Sequence, residues 1–236
     1  MTKFFIIHLV LFIISLIVLI SCVEKKDVAT KEKGIKETWP PSGLKEVKID
    51  FKHIFHRNYY IIFDGSGSMR GEKLYVAKKA VKKFINKIPK GSHVGLLAFD
   101  KQGNFERATI GSKRKIIKEK VDEIKAQGET PLGKSIEIAF MKLGLQAKKQ
   151  LGYGEYNLVI LTDGKATDKY RLDTAIERLL LESPIIVHTI GFKIGKGHPL
   201  NQPGKMYYKI ANNYDELAEG LQKVLAELKD FNVKGF

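Results

Sequence analysis

Residues 61–69 read Ile-Ile-Phe-Asp-Gly-Ser-Gly-Ser-Met, and this stretch decides the fold that we expect. Its apolar part continues a run that begins at Tyr59, and a continuous apolar run of this length is typical of a strand buried on both faces. Asp64, Ser66 and Ser68 follow at alternate positions, with glycines between them. Glycine permits the backbone conformations by which a turning loop directs such side chains to one point. The stretch therefore predicts a divalent cation site at the end of a buried strand.

From residue 57 onward, short apolar runs alternate with segments of helical periodicity. The predicted strands are Tyr59–Phe63, Val94–Phe99, Arg107–Ile110, Leu158–Leu161, Ile185–Ile190 and Tyr207–Ile210. The predicted helices follow Met69, span about 113 to Gly128, begin at Pro131, include 175–180 and close the chain from Asp215. This alternation predicts an α/β fold, in which a doubly wound, mostly parallel central sheet is flanked by helices.

Ligands of such sheets bind beyond the carboxyl ends of the strands, at the point where the strand order reverses. Two further loops carry oxygen side chains at suitable positions: Gly128–Pro131 precedes a predicted helix, and Thr162–Gly164 follows a predicted strand. Both also have plainer interpretations. Thr130 fits an N-cap with proline at the first helical position, and Asp163 followed by glycine fits an ordinary turn.

Together the three loops resemble the von Willebrand factor type A (VWA) domain. The resemblance rests on Asp-x-Ser-x-Ser at 64–68, the threonine of Gly-x-Thr-Pro-Leu at 128–132 and the aspartate of Thr-Asp-Gly at 162–164. It covers residues 57–236 and implies a metal ion-dependent adhesion site. The implied ligands are Asp64, Ser66, Ser68, Thr130 and Asp163.

The implied cation is Mg²⁺, or Mn²⁺ or Ca²⁺, and hard oxygen ligands of this kind suit it. Two carboxylates balance the charge of the ion, and in the family an open coordination position then accepts an aspartate or glutamate of a protein partner. The resemblance thus implies adhesion or complex assembly, and we expect no enzyme. The remaining alternative within the family is a structural VWA domain without metal.

A rival motif lies at residues 128–135, Gly-Glu-Thr-Pro-Leu-Gly-Lys-Ser, which matches the nucleotide-binding P-loop literally. It would make the protein an ATPase that uses Lys134 and Ser135. A P-loop follows a buried strand, however, whereas residues 113–127 read as a charged helix, and Pro131 removes one backbone N–H from the phosphate cradle. We therefore prefer the metal site and expect Lys134 and Ser135 to be surface residues.

The N-terminal 21 residues are typical of an export signal, with an apolar run over 4–20. Ser21-Cys22 at its end resembles the bacterial lipoprotein signal, which implies that Cys22, the only cysteine, is acylated, with palmitate among its chains. An uncleaved anchor and a buried thiol are the alternatives. We expect a lipid-anchored protein of the bacterial cell envelope, and Val23 favours the outer membrane where one exists.

We divide the chain into the signal peptide at 1–21, a lipidated N-terminus and charged linker at 22–56, and a VWA-like domain at 57–236. Charges of both signs and a Pro-Pro break argue against a packed element in the linker, although the alternation at Val47–Phe51 fits an edge strand. The net charge of +15 is consistent with a lysine-rich surface beside an anionic membrane. No interleaved aromatic and basic motif is present, so we expect no nucleic acid partner.

Two further features concern single regions. The lysine-bearing loop 193–205 follows a strand and is expected on the metal-bearing face, where its charges would help to recruit an acidic partner; the alternative is a plain surface loop. His188 lies inside an apolar strand, and we interpret it as a core histidine.

Overall fold

The computed structural model describes residues 39–41 and 43–226. All of them belong to one compact unit. The predicted signal peptide at 1–21 and the predicted acylation of Cys22 lie outside the described residues. Within the described part of the chain, no helix combines the length and apolar character needed to cross a bilayer.

The described residues form a single six-stranded sheet. Its strands are β1 (Arg57–Asp64), β2 (His93–Asp100), β3 (Gly103–Ala108), β4 (Glu155–Thr162), β5 (Ile186–Phe192) and β6 (Tyr207–Ala211). Their order is β3-β2-β1-β4-β5-β6, with β3 antiparallel to β2 and every other pair parallel. The strand order reverses between β1 and β4, so the carboxyl ends of these two strands form the ligand-binding position of a doubly wound sheet.

Within the described residues, five α-helices cover the two faces of the sheet. They are α1 (Glu72–Lys87), α2 (Arg114–Glu123), α3 (Leu132–Lys149), α4 (Lys169–Glu182) and α5 (Tyr214–Ala226). One core contains α1, α2 and α5, and the other contains α3 and α4. In β1, Tyr59, Ile61 and Phe63 enter the first core, whereas Tyr60 and Ile62 enter the second. The predicted fold class is confirmed, and burial on both faces explains why β1 is apolar throughout.

The third strand begins earlier than predicted. β3 starts at Gly103, whereas the sequence predicted a strand only at Arg107–Ile110. The chain turns between β2 and β3 at residues 100–102, where the Asp100 carboxylate accepts a hydrogen bond from the backbone N–H of Gln102 at 2.8 Å. Such a side-chain contact replaces a backbone turn, so the chain reverses directly after β2.

The helix expected to end near Gly128 ends at Glu123 instead. The following residues run along the loops at the carboxyl end of the sheet. The backbone N–H of Lys125 donates to the Asp100 carboxylate at 3.0 Å, and that of Gln127 donates to Gly65 O at 3.0 Å. These bonds satisfy the backbone groups of the segment outside a helix.

The described part of the predicted linker packs against the domain. The Trp39 ring lies edge-on at 5.6 Å from the rings of both Phe140 and Tyr156, and Leu44 is buried. Gly144 of α3 makes room for this contact, since a Cβ atom there would lie 2.8 Å from Pro41 Cδ. The sequence argument against a packed element is therefore wrong from Trp39 onward, because a few apolar residues suffice to cover this face of α3.

The predicted edge strand at Val47–Phe51 is also wrong. Residues 44–50 form neither helix nor strand, and Phe51–His53 forms a 3₁₀ turn. The backbone N–H of Asp50 donates to Lys149 O at the end of α3, at 2.9 Å, so the segment follows the helix and not the sheet.

Candidate metal centre

Asp64 is the last residue of β1, and its side chain is fully buried. One carboxylate oxygen accepts the backbone N–H of Ser66 at 2.8 Å, and the other accepts the hydroxyl of Thr162 at 2.6 Å. Thr162 ends the neighbouring strand β4 and was not among the predicted site residues. Its position directly before Asp163 is the sequence signal that pointed to it. The two bonds fix the orientation of the Asp64 carboxylate.

The serine residues connect the first loop with the loop after β4. Ser66 is buried, and its hydroxyl oxygen lies 3.0 Å from that of Ser68. The exposed Ser68 in turn donates a hydrogen bond to a carboxylate oxygen of Asp163 at 2.6 Å. Asp163 has a buried side chain. The structure thus brings Asp64, Ser66, Ser68 and Asp163 together.

Thr130 completes the group predicted from the sequence. A Cβ atom at Gly164 would lie 3.4 Å from the Thr130 hydroxyl oxygen and 3.6 Å from that of Ser68, so both hydroxyls lie within 4 Å of one point. Backbone bonds from Gly67 N to Gly128 O at 3.0 Å hold the first loop beside the second. All five predicted ligand residues therefore meet where the strand order reverses.

The Asp64 carboxylate is placed unfavourably for a site that contains only protein. Burial raises the pKa of Asp64, hydrogen bonds from Ser66 and Thr162 oppose this increase, and the nearby charge of Asp163 adds to it. A buried carboxylate is costly unless a partner compensates its charge. A cation at this point would supply that compensation.

One cationic side chain already reaches the site. The ammonium group of Lys73, in the first turn of α1, lies 2.5 Å from the carboxylate oxygen of Asp163 that Ser68 does not bind. This contact was not predicted from the sequence. The position of Lys73 at the start of the helix that follows the Asp-x-Ser-x-Ser loop is the signal that was overlooked.

The donor set consists of oxygen atoms. Within residues 39–41 and 43–226, no group of three or more histidine, cysteine, aspartate or glutamate side chains is arranged to hold a metal ion. Two carboxylates with three hydroxyls suit Mg²⁺, Mn²⁺ or Ca²⁺ better than zinc. The 3.0 Å between the Ser66 and Ser68 hydroxyls fits adjacent ligands of one ion, because two oxygens bound at ~2.1 Å and at right angles lie ~3.0 Å apart.

A buried ion pair supports the loops from the neighbouring strand. Asp100, at the end of β2, accepts a charge-assisted hydrogen bond from the Arg107 guanidinium at 2.5 Å, and both side chains are buried. Gly65 packs tightly over this strand end, since a Cβ atom there would lie 2.8 Å from Asp100 Cβ. The first site loop therefore rests on a rigid base, and neither contact was predicted.

The amino end of α3 does not provide a phosphate cradle. The backbone N–H groups of Gly133 and Lys134 donate to the carboxylate of Asp168 at 3.0 and 2.8 Å. The prediction that Ser135 lies on the surface is wrong, whereas Lys134 is exposed. Ser135 is buried because its hydroxyl bonds to Pro131 O and Asn104. A carboxylate occupies the N–H groups that a nucleotide would need, which argues against the P-loop interpretation.

The loop 193–205 lies next to the candidate metal centre, as expected. A ring nitrogen of His198 lies 3.2 Å from Gly164 O, and Leu200 is fully buried. These two residues attach the loop to the domain, while Lys193, Lys196 and Lys205 remain exposed.

The family of the chain follows from comparison with known proteins. The family model of the von Willebrand factor type A domain matches residues 58–233. The chain belongs to the von Willebrand factor type A family. A search of curated protein sequences finds no significant match.

Solved structures agree with this VWA fold. A von Willebrand factor type A protein from Catenulispora acidiphila is 22% identical with a TM-score of 0.60, and the match covers 73% of this chain and 42% of that one. The pilus adhesin SpaC from Lactobacillus rhamnosus GG is 15% identical with a TM-score of 0.59, over 78% and 31% of the two chains. Both are much longer than the matched part.

A third similar structure is the manganese-loaded TRAP protein of Plasmodium vivax. It is 18% identical with a TM-score of 0.54, and the match covers 71% of this chain and 72% of that one. At these identities the comparisons show the fold, and the chemistry of the site depends on the residues described above.

Proposed function

We propose that this VWA protein binds a divalent cation through Asp64, Ser66, Ser68, Thr130 and Asp163, and that the cation binds an aspartate or glutamate of a protein partner. The role is adhesion or complex assembly, without catalysis. When bound, the ion supplies a Lewis-acidic position for the partner's carboxylate. Mg²⁺ is the preferred ion, with Mn²⁺ and Ca²⁺ as alternatives.

One observation carries the proposal: two carboxylates and three hydroxyls from three loops meet at the reversal of the strand order, with Asp64 fully buried. VWA relatives that are adhesins, and the manganese-loaded TRAP protein, support a role in protein binding through a metal. Ser68 is exposed, so the group opens to the surface on the side where a partner can approach.

The charge of the site favours an acidic partner. A divalent cation would balance Asp64 and Asp163, and the ammonium of Lys73 at 2.5 Å from Asp163 would then leave a positive charge. The exposed lysines of the loop 193–205 add to it, since that loop is bound to Gly164. An incoming carboxylate would experience attraction from both sources.

The same lysine contact favours a second candidate, a VWA domain that binds no metal. Lys73 already provides a counter-charge for Asp163 in this arrangement. The two candidates differ in a measurable property, because a ligand that binds only the folded state raises its stability.

The experiment is a thermal unfolding scan with Mg²⁺ or Mn²⁺ and again with EDTA. We expect millimolar metal to raise the melting temperature. The free energy of unfolding should increase by about 2.7 kcal/mol when the metal is at a hundredfold excess over its dissociation constant. Asp64→Asn should abolish the shift and change the stability in EDTA only slightly, because the loss of a buried charge offsets the loss of one of the two oxygens that accept hydrogen bonds from Ser66 and Thr162.

The matched control is Asp173→Asn, because Asp173 is an exposed aspartate of α4. This variant should retain the full metal-induced shift in melting temperature. Absence of a shift in the unmodified protein would establish the metal-free candidate. A shift with ATP that Lys134→Ala removes would instead support nucleotide binding and overturn the proposal.

We further propose that Cys22 is acylated and holds the protein on the bacterial cell envelope, at the outer membrane where one exists. The support is the sequence pattern at residues 4–22 alone. Metabolic labelling with a palmitate analogue tests it, since the label should be lost in Cys22→Ser. A crosslinking pulldown with Mg²⁺ and again with EDTA would then identify the partner as the protein that only the metal-containing sample captures.

A further inference from the structure

The amino end of the sheet, opposite the candidate metal centre, exposes a group of large apolar side chains. Phe51 and Phe55 are each 74% exposed, Tyr153 is 66% exposed and Leu151 is 49% exposed. The rings of Phe55 and Tyr153 lie 5.9 Å apart. Leu151 has a positive φ of 52°, a conformation that is uncommon for leucine. Contiguous exposed apolar groups mark sites of interaction.

These side chains come from two segments that one buried residue holds together. The amide nitrogen of Gln150 donates to His53 O at 2.7 Å and to His56 O at 3.2 Å. Its amide oxygen accepts a hydrogen bond from the side chain of Asn58 at 2.8 Å. The segment that carries the two phenylalanines is therefore fixed beside the turn that carries Leu151 and Tyr153.

The charge around this apolar group is positive. Lys52 and Lys149 are exposed next to it, and Lys90 is exposed in the loop that precedes β2 at the same end of the sheet. The two nearby carboxylates, Asp50 and Glu155, already accept hydrogen bonds from neighbouring side chains. We call this region the basal surface: Phe51, Phe55, Leu151 and Tyr153 with Lys52, Lys90 and Lys149.

We propose that the basal surface docks on an anionic lipid bilayer. Aromatic residues favour the interface between lipid and water, and an anionic membrane surface attracts nearby lysines. The inference rests on the anchoring at Cys22 proposed above, because residues 23–38 span at most roughly 55 Å when extended. A domain on that tether is always within reach of the bilayer.

Docking of the basal surface fixes the direction in which the metal centre points. β1 begins at Arg57, next to the basal surface, and ends at the buried Asp64. An eight-residue strand is roughly 25 Å long. The metal centre would therefore face away from the membrane, toward a partner on another surface.

The test uses the full chain in vesicles of phosphatidylglycerol and phosphatidylcholine that contain a phospholipid with a photoreactive group in its acyl chain. After illumination, mass spectrometry identifies the labelled peptides. We expect label in the peptides that contain Phe51, Phe55 and Tyr153. Tyr75 and Tyr170 are exposed aromatic residues elsewhere on the domain and should remain unlabelled.

Variants and salt separate docking from accidental contact. Phe51→Ser combined with Phe55→Ser removes two apolar contacts with the bilayer and should therefore remove the label from the Tyr153 peptide. Both changes are at exposed positions and should leave the fold intact. Tyr75→Ser combined with Tyr170→Ser is the matched control and should change nothing. Phosphatidylcholine alone, or ~1 M salt, which shortens the Debye length to ~3 Å, should weaken the labelling.

Equal labelling of Tyr75 and Tyr170 would overturn the inference, and so would protein–protein crosslinks through the basal surface in place of lipid label. Flotation of the same samples reports the tether independently. A chain that floats with the vesicles but carries no label at the basal surface would refute the docking and leave the anchor proposal standing. If the unmodified chain does not float and Cys22→Ser still acquires label at the basal surface, the anchor proposal alone is refuted.

Discussion

The carboxyl end of the sheet carries mostly buried polar side chains, whereas the amino end carries exposed aromatic ones. At the carboxyl end, buried oxygen atoms from three loops point toward one another around Asp64. At the amino end, Phe51, Phe55 and Tyr153 point into solvent. One sheet can therefore hold two unlike surfaces about 25 Å apart, because the loops that connect parallel strands lie at its two opposite ends.

Each end depends on one buried polar side chain that joins separate segments. Asp100 bonds to Arg107 and to the backbone of Lys125 at the carboxyl end. Gln150 bonds to the backbone of His53 and His56 at the amino end. The charged support should be the stronger of the two, and the predictions that follow test this difference.

The largest effect is expected for Asp100→Ala. It leaves the buried Arg107 guanidinium without its carboxylate, and breaking a buried ion pair costs about 3–5 kcal/mol. Urea denaturation followed by circular dichroism measures the loss. Asp173→Ala, at an exposed position of α4, is the control and should stay within about 0.5 kcal/mol of the unmodified protein. A loss no greater than that of the control would show that the ion pair does not support this end.

Gln150→Ala should destabilise the amino end by about 2–3 kcal/mol, because it removes three hydrogen bonds, to the Asn58 amide and to the carbonyls of His53 and His56, at about 1 kcal/mol each. The same denaturation assay applies. Gln127→Ala is the matched control, since Gln127 is exposed at the carboxyl end. If both variants lose equal stability, the amide has no special role at the amino end.

The pH dependence should come in part from the amino half of the sheet. His188 is buried in β5, as expected of a core histidine, and stacks on Tyr207 with ring centroids 4.9 Å apart. Burial lowers the pKa of His188 to about 4. The unfolded chain therefore takes up a proton at about pH 6.5 while the folded protein does not, so stability is complete above that pH and falls below it.

The expected loss from His188 is about 2 kcal/mol between pH 7.5 and pH 5. His188→Phe keeps the ring stack and should flatten the dependence of the free energy of unfolding on pH between pH 7.5 and pH 5. Burial also lowers the pKa of His198, beside the metal centre, while its hydrogen bond to Gly164 opposes the decrease. His198→Gln should therefore flatten the profile less, and a larger effect at His198 would reverse the comparison.

The smallest effect is expected for Lys73→Met in metal binding. The ammonium of Lys73 competes with a cation for Asp163, but it is partly exposed, so its removal should tighten Mn²⁺ binding by about 1 kcal/mol, or roughly fivefold. Isothermal titration measures the affinity. Lys79→Met, on the same helix, is the control. Weaker binding in Lys73→Met would show that the lysine supports the site.

The sequence predicted the parts of the fold that follow from local pattern. Continuous apolar runs identified the buried strands, and the glycines between Asp64, Ser66 and Ser68 identified a loop that turns sharply. The candidate site was predicted because four of its five residues lie in short motifs directly after strands, and Thr130 lies in a short motif before a helix. Parallel strands bring such loops together without any further information.

The remaining contacts could not be predicted, because they join residues that are distant in sequence. Lys73 reaches Asp163, and Asp168 reaches the N–H groups of Gly133 and Lys134, only after the helices pack. Trp39 lies in a charged segment, and its ring packs on Phe140 of α3, while the small surface of Gly144 admits the neighbouring Pro41. Composition described the average of that segment and missed the few apolar side chains that anchor it.

The pairing of β1 has a mechanical consequence. The strand begins at the exit of the N-terminal segment and ends at Asp64, with parallel neighbours β2 and β4 along both sides. A tension between the cation loops and the N-terminus would run along β1 and load its ladder of hydrogen bonds in shear, all at once. The contacts of Trp39 and Leu44 with α3 would instead peel one after another, so the N-terminal segment would lengthen under force well before the central strand slips.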